Sequence, residues 1–244
     1  MSEPTTAAAA HAENVMLPNV ESDQPSREVF EHRRWLDRAG GSVGLLVGSV
    51  LLLGSMFTAW WTMTISDGGS TETVSFLPGW SFSTTGIQGA GGLFSGTTTY
   101  SASNLTQLGL LYGNLLWAEI IVTLVAVAAA FLGFASLRAI RSRVARALSL
   151  VTAISATAVS IMLPLLMTGF QPNAFNMDVG GSTTCTAPPS PCSAFWGSQT
   201  LNGTTLTWGP GLGWGLSVAA AVVMIASLAF LVSSLRTYPY GDEA

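Results

Sequence analysis

The chain has 244 residues, of which 49% are hydrophobic and only 9% charged, with a net charge of −4. A soluble domain is usually about a quarter charged, and a nucleic-acid-binding domain carries a basic patch, so neither class fits. The apolar residues cluster in four blocks separated by Ser/Thr/Gly-rich or Arg-rich stretches, and mean hydropathy is +0.48; this is the pattern of a polytopic membrane protein.

Residues 1–25 are rich in Ala, Thr, Pro and acid. They hold too little apolar surface to offset the entropy of ordering and are expected to form a disordered cytoplasmic tail. No h-region occurs in the first thirty residues, so the first apolar run would act as an uncleaved anchor. Residues 26–39 are expected to form a juxtamembrane amphipathic helix. Ser26 is its N-cap, Trp35 lies at headgroup depth, and Arg33, Arg34 and Arg38 face lipid phosphates.

The first membrane helix is expected at about 41–63. Gly44 and Gly48 give it a small-xxx-small face, suited to packing inside the bundle or to homodimerisation. Trp60-Trp61 would close it as an aromatic belt. Residues 64–107 form the first outer loop. Weak alternation on either side of Ser66–Ser70 predicts a β-hairpin. Trp80, Phe82, Ile87, Leu93, Phe94 and Tyr100 supply apolar matter for a folded cap. Gly86, Gly89, Gly91, Gly92 and Gly96 do not make a phosphate loop, because no lysine is present anywhere in the chain, and they are read as tight turns.

The second helix is expected at about 108–137. It contains Glu119, which lies nineteen residues before Arg138 and therefore about 28 Å from the inner boundary. That depth places it near the outer rim of a core about 30 Å thick, hydrated beside Asn114 and Trp117. Arg138, Arg141, Arg143 and Arg146 form the connection to the third helix, about 147–170. There Ser149, Ala153, Ala156 and Ser160 make a packing face, and Pro164 should kink the helix. The second outer loop, 171–211, has Asp178 as its sole charge and holds the only two cysteines, Cys185 and Cys192, expected to form a disulfide. Two thiols without a nearby histidine do not make a metal site. Asn202-Gly203 between alternating arms is a strong hairpin signal. Asn104 and Asn202 each begin a glycosylation sequon. The fourth helix is expected at about 212–235, with a cytoplasmic tail at 239–244.

Every basic residue is an arginine, and all nine fall before the first helix, between the second and third, or, as Arg236, after the fourth. The positive-inside rule therefore puts both termini in the cytoplasm of a multi-pass protein of the cell membrane. The arginines act as topology anchors on anionic lipid headgroups. The expected fold is all-α transmembrane: a four-helix membrane bundle with β-rich structured outer loops, comprising residues 40–238.

This layout resembles the claudin and tetraspan class, with four passes, both ends inside and two structured outer loops. The resemblance is one of layout. Claudins carry a cysteine pair in the first outer loop, within a Trp…Gly-Leu-Trp…Cys…Cys pattern, whereas that loop here has Trp80 and Gly92-Leu93-Phe94 and no cysteine. The expected function is that of a structural or accessory membrane protein whose β-rich outer cap contacts a membrane-protein partner or second copy, a neighbouring cell or the envelope. The alternative is a small oligomeric channel or transporter with Glu119 and Asn114 at its outer mouth. Both histidines, His11 and His32, lie in the N-terminal region, so neither an enzyme nor a cofactor is expected.

Overall fold

The structure is a computed structural model that describes residues 27–88, 92–138, 143–185 and 188–235. Helix α1 is Arg27–Met56. Strands β1 (Trp61–Asp67), β2 (Ser70–Phe76), β3 (Ser81–Gln88) and β4 (Gly92–Thr99) follow it. Helices α2 (Thr106–Arg138) and α3 (Arg143–Val179), strands β5 (Gly197–Leu201) and β6 (Thr204–Pro210), and helix α4 (Leu212–Ser233) complete the order. The tail 1–25, Gly89, Gly91, Arg141, Arg236 and the tail 239–244 lie outside the described residues, as do the side chains of Arg138 and Arg143.

All four helices are long and apolar enough to span a membrane. They run up, down, up and down, with α1 against α2 and α4, and α3 against α2 and α4. Their interior mixes Leu45, Leu52, Leu108 and Met224 with many small and weakly polar side chains, and their outside is large and apolar. Ser42, Ser49, Ala126, Ala129, Ala130, Ala153, Ala156, Ser160, Ser217 and Ala220 are buried. Val50, Phe57, Leu124, Phe131, Val151, Leu165, Val222 and Phe230 are exposed. This is the inverse of a soluble bundle and matches the close backbone approach that small residues allow. Ser149 Oγ donates to the Ala129 carbonyl at 3.0 Å, tying α3 to α2.

The glycines of α1 serve this packing. A Cβ at Gly48 would meet the Met224 side chain at 2.8 Å, and one at Gly44 would strike Ser227. The small-xxx-small face therefore lies on α4 of the same chain. At Gly41 a Cβ would come within 2.9 Å of the Ser227 carbonyl oxygen, while at Gly40 nothing lies within 4 Å. Gly41→Ala is therefore expected to destabilise the protein by about 1–3 kcal/mol through overpacking. Gly40→Ala should stabilise it by up to about 1 kcal/mol through helix propensity. Thermal melts of the two variants in detergent test the pair, and equal shifts would contradict this packing.

Several boundaries differ from those read in the sequence. The juxtamembrane helix and the first membrane helix are one element, because Gly40-Gly41 continues α1 without a break. Helix α1 ends at Met56, and Trp60 and Trp61 are fully buried, with Trp61 starting β1. They are the seat of the sheet, not a belt. Helix α3 continues to Val179 through both Pro164 and Pro172, so the second connection is shorter than 171–211. Gly86, Gly92 and Gly96 lie within strands and not at turns.

The two long connections join in one antiparallel sheet of order β4-β3-β2-β1-β6-β5. The seam is β1 with β6, in the register Met63 with Trp208 and Ile65 with Leu206. Hairpin β1–β2 turns at Gly68 and Gly69, which adopt φ of 49° and 101°. Hairpin β5–β6 turns at Asn202 and Gly203, with φ of 53° and 86°, the left-handed pair a tight hairpin requires.

Candidate functional site

The sheet is rooted on the bundle by an aromatic cluster. Phe76, at the end of β2, is 2% exposed. Its ring centroid lies 5.2 Å from Trp61, 5.8 Å from Phe82, 5.9 Å from Tyr112 of α2 and 6.3 Å from Phe175 of α3. Tyr100 stacks on Tyr112 at 5.6 Å and donates its hydroxyl to the Leu77 carbonyl at 3.1 Å. Burial pushes the Tyr100 ionisation above the usual tyrosine range, against the opposing effect of that hydrogen bond, so the hydroxyl remains a donor at ordinary pH. The Trp61 and Trp208 indoles donate to the Phe195 and Ala194 carbonyls at 2.7 and 2.9 Å, which lays the second connection over the same sheet face.

Asp178 is the last rivet. From the end of α3 its carboxylate accepts the Gln107 and Leu108 backbone N–H groups at 3.0 and 2.8 Å. It thus caps the N-terminus of α2, where a negative charge also opposes the helix dipole.

The face of the sheet turned away from this root is a lattice of hydroxyls. Directly paired residues share a face. One rung across all the strands reads Ser198, Thr207, Thr64, Thr73, Thr85, Ser95. The next reads Thr62, Ser75, Ser83, Thr97. Thr64 and Thr73 hydroxyls meet at 3.1 Å. The strands place no charge on this face, because Asp67 and Glu72 point to the opposite one. The sequence signal was the alternation of Ser or Thr with larger residues, visible in Thr62-Met63-Thr64 and Thr205-Leu206-Thr207.

The lattice ends in an apolar corner at the free edge. Every residue of β4 is exposed. Leu93 and its pair Ile87 stand on the hydroxyl face, 83% and 44% exposed. On the other face Phe94 lies opposite Gly86, where a Cβ would come within 2.6 Å of the Phe94 ring. Phe82 and Tyr100 of the expected apolar set do enter the root, whereas Trp80, Ile87, Leu93 and Phe94 are exposed.

Glu119 is not a hydrated rim residue. Its relative exposure is 0%. Its Oε1 accepts from Ser55 Oγ of α1, and Oε2 has no partner among the described residues. Ser55 Oγ also donates to the Leu52 carbonyl at 2.7 Å. The single hydroxyl proton of Ser55 serves one of these two acceptors at a time. The Trp60 indole lies beside the carboxyl. On α4 the neighbouring position is Gly213, whose Cβ would contact the Ser55 carbonyl at 3.0 Å. Asn114 is exposed on another face of α2. It lines a groove of about 320 Å³ with Trp80 and Trp117. Asn114 and Glu119 therefore do not share one mouth within the chain.

The Cys185 and Cys192 sulfurs lie at bonding distance, with Cα atoms 5.5 Å apart. Asn104 and Asn202 are both exposed, each with positive φ. Of the arginines, Arg33 is exposed, but Arg34 and Arg38 turn inward to the ends of other helices. Arg34 Nε donates to the Ser234 carbonyl at 3.0 Å, and Arg38 Nη1 to the Ser136 carbonyl at 3.3 Å. Arg146 lies half-buried near them. No cluster of metal-ligating side chains occurs among the described residues. The chain matches no known protein-family model and no curated protein.

Proposed function

We propose that this is a four-pass membrane protein of structural or accessory type, with both termini cytoplasmic and the sheet held outside as a contact surface for a protein partner or a second copy. Two features support the membrane reading. Large apolar side chains collar all four helices. Among the described residues the arginines, Arg27, Arg33, Arg34, Arg38, Arg138, Arg143 and Arg146, all fall toward the helix ends away from the sheet. A reporter fused after Ala244 is expected to read cytoplasmic, and a signal from the other side of the membrane would reverse the topology.

The contact reading rests on strand β4. It is an edge strand, fully exposed, with Leu93 on it and Ile87 paired to that residue from β3. Free edges are ordinarily blunted by charge or proline, and Gly92–Thr99 has neither. An edge of that kind adds a strand from another chain, with main-chain hydrogen bonds giving affinity and the flanking side chains giving specificity. Leu93→Lys combined with Ile87→Lys is expected to abolish cross-linking to the partner or second copy in native membrane, with the melting temperature unchanged. Full retention of the cross-link would overturn the assignment of the edge.

A second reading, a small oligomeric channel, draws on the open oxygen of Glu119. A flux into liposomes that Glu119→Gln abolishes would favour it over the first.

A further inference from the structure

We propose that Arg34, Arg38 and Arg146 form a pocket for a phosphate group at the end of the bundle away from the sheet. The phosphate belongs either to an anionic lipid or to a free phosphate, and the lipid source rests on the membrane reading above. The pocket is a cavity of about 290 Å³ lined by Glu31, Arg34, Trp35, Arg38, Leu137 and Arg146. It draws its basic groups from α1 and α3, which are far apart in the chain.

Three features give it an anion's chemistry. The lining carries three guanidinium charges against the one carboxylate of Glu31, and Arg38 feels the positive charges of both Arg146 and Arg34. Like charges so placed repel one another, and an anion among them removes that repulsion. The guanidiniums are also held in place beforehand. Arg34 and Arg38 each commit a donor to a helix-terminal carbonyl, at Ser234 and Ser136. A guanidinium carries five donors in a fixed fork, so such a bond orients the remaining N–H groups and reduces the entropy lost on binding. Planar forks of this kind match phosphate oxygens. Finally, Trp35 lines the cavity while 49% exposed, and Leu36 beside it is 50% exposed, so an amphipathic wall flanks the charged floor.

One acidic neighbour has a partner of its own. Asp37 accepts from Ser233 Oγ at 2.8 Å and lines an adjoining cavity with Arg33 and Arg34.

The full-length protein is placed in nanodiscs of phosphatidylcholine with or without phosphatidylglycerol, and the lipid it retains is counted by native mass spectrometry. Phosphatidylglycerol is expected to be retained in excess of its share of the bilayer. Arg146→Gln leaves both helix-end bonds in place and should lower that enrichment about fivefold. Arg146→Lys should recover part of it. Inorganic phosphate added to the phosphatidylcholine sample tests the free source: a rise in melting temperature that Arg146→Gln removes would assign the pocket to free phosphate. Equal retention of the two lipids together with no effect of phosphate overturns the pocket, as does enrichment that Arg146→Gln leaves intact. A protein released from native membranes by alkaline carbonate fails the membrane reading instead, and that result is separate from the behaviour of the pocket.

Discussion

Phe76→Ala is expected to destabilise the protein by about 3–5 kcal/mol, the range for removing a buried aromatic ring from a core that cannot collapse. The position is unusual in what its ring joins. It touches Trp61 of β1, Phe82 of β3, Tyr112 of α2 and Phe175 of α3. Its loss therefore removes contacts on the sheet side and the helix side together. The helices retain their own packing along Gly41, Gly48 and Ala129, far from the ring, so the damage should stay local. The expected result is a protein of unchanged helical content by circular dichroism. Its segment 61–99 should become open to protease at concentrations that leave the parent intact. Thr73→Ala, on the hydroxyl face of the same hairpin, should leave both readouts within about 0.5 kcal/mol of the parent, as a surface substitution does. Loss of helix signal in step with proteolysis would mean that sheet and bundle unfold as one unit, and the root would then not be a separable joint.

What could be read from the chain divides along range of interaction. The β5–β6 hairpin was legible because Asn202-Gly203 carries its own left-handed geometry. The β1–β2 hairpin was legible through the turn at Gly68-Gly69, and the four helices through unbroken apolar runs. Each of those signals lies within a few residues of what it determines. Pairing β1 to β6 was not legible, since Thr64 meets Thr207 across two helices. Trp60-Trp61 looked like a membrane-interface belt because amphipathic aromatics at the end of an apolar run usually are one. Here Trp61 finds the Phe195 carbonyl 134 positions away and is buried by it. Asp178 looked like an idle loop charge, and its role depends on backbone groups some seventy residues earlier. Arg34 and Arg38 looked like lipid anchors, and the helix ends that receive them are equally remote in sequence. The hydroxyl lattice is an intermediate case. Its alternation was written locally in every strand, and only the register between strands made it one surface.

Glu119 provides the sharpest test of the bundle, because the direction it faces was not legible. Counting residues from Arg138 gives its position along α2, whereas facing Ser55 is a matter of how α1 and α2 pack. Glu119→Ala removes a buried side chain and its hydrogen bond and is expected to destabilise the protein by about 2–5 kcal/mol. Glu119→Gln keeps the shape and offers an N–H to the Ser55 oxygen, so it should stay within about 1 kcal/mol of the parent. Ser55→Ala takes away the partner and leaves the carboxyl buried and unsatisfied, at a cost of about 1–3 kcal/mol or more. Glu119→Met discriminates most strongly. Ser55 still has the Leu52 carbonyl to donate to, so a methionine of similar volume leaves that hydroxyl satisfied. An apolar replacement of a buried polar pair is often neutral or stabilising. If Glu119→Met melts at or above the parent temperature while Glu119→Ala falls well below it, the site needs volume there and not charge, and the carboxyl is retained for something other than stability. If Glu119→Met falls as far as Glu119→Ala, the Ser55–Glu119 bond is itself a stabilising link between α1 and α2. The cycle combining Ser55→Ala with Glu119→Met measures that link directly. A coupling energy of about 0.5–3 kcal/mol is expected for two groups in contact, and a value of zero would separate them.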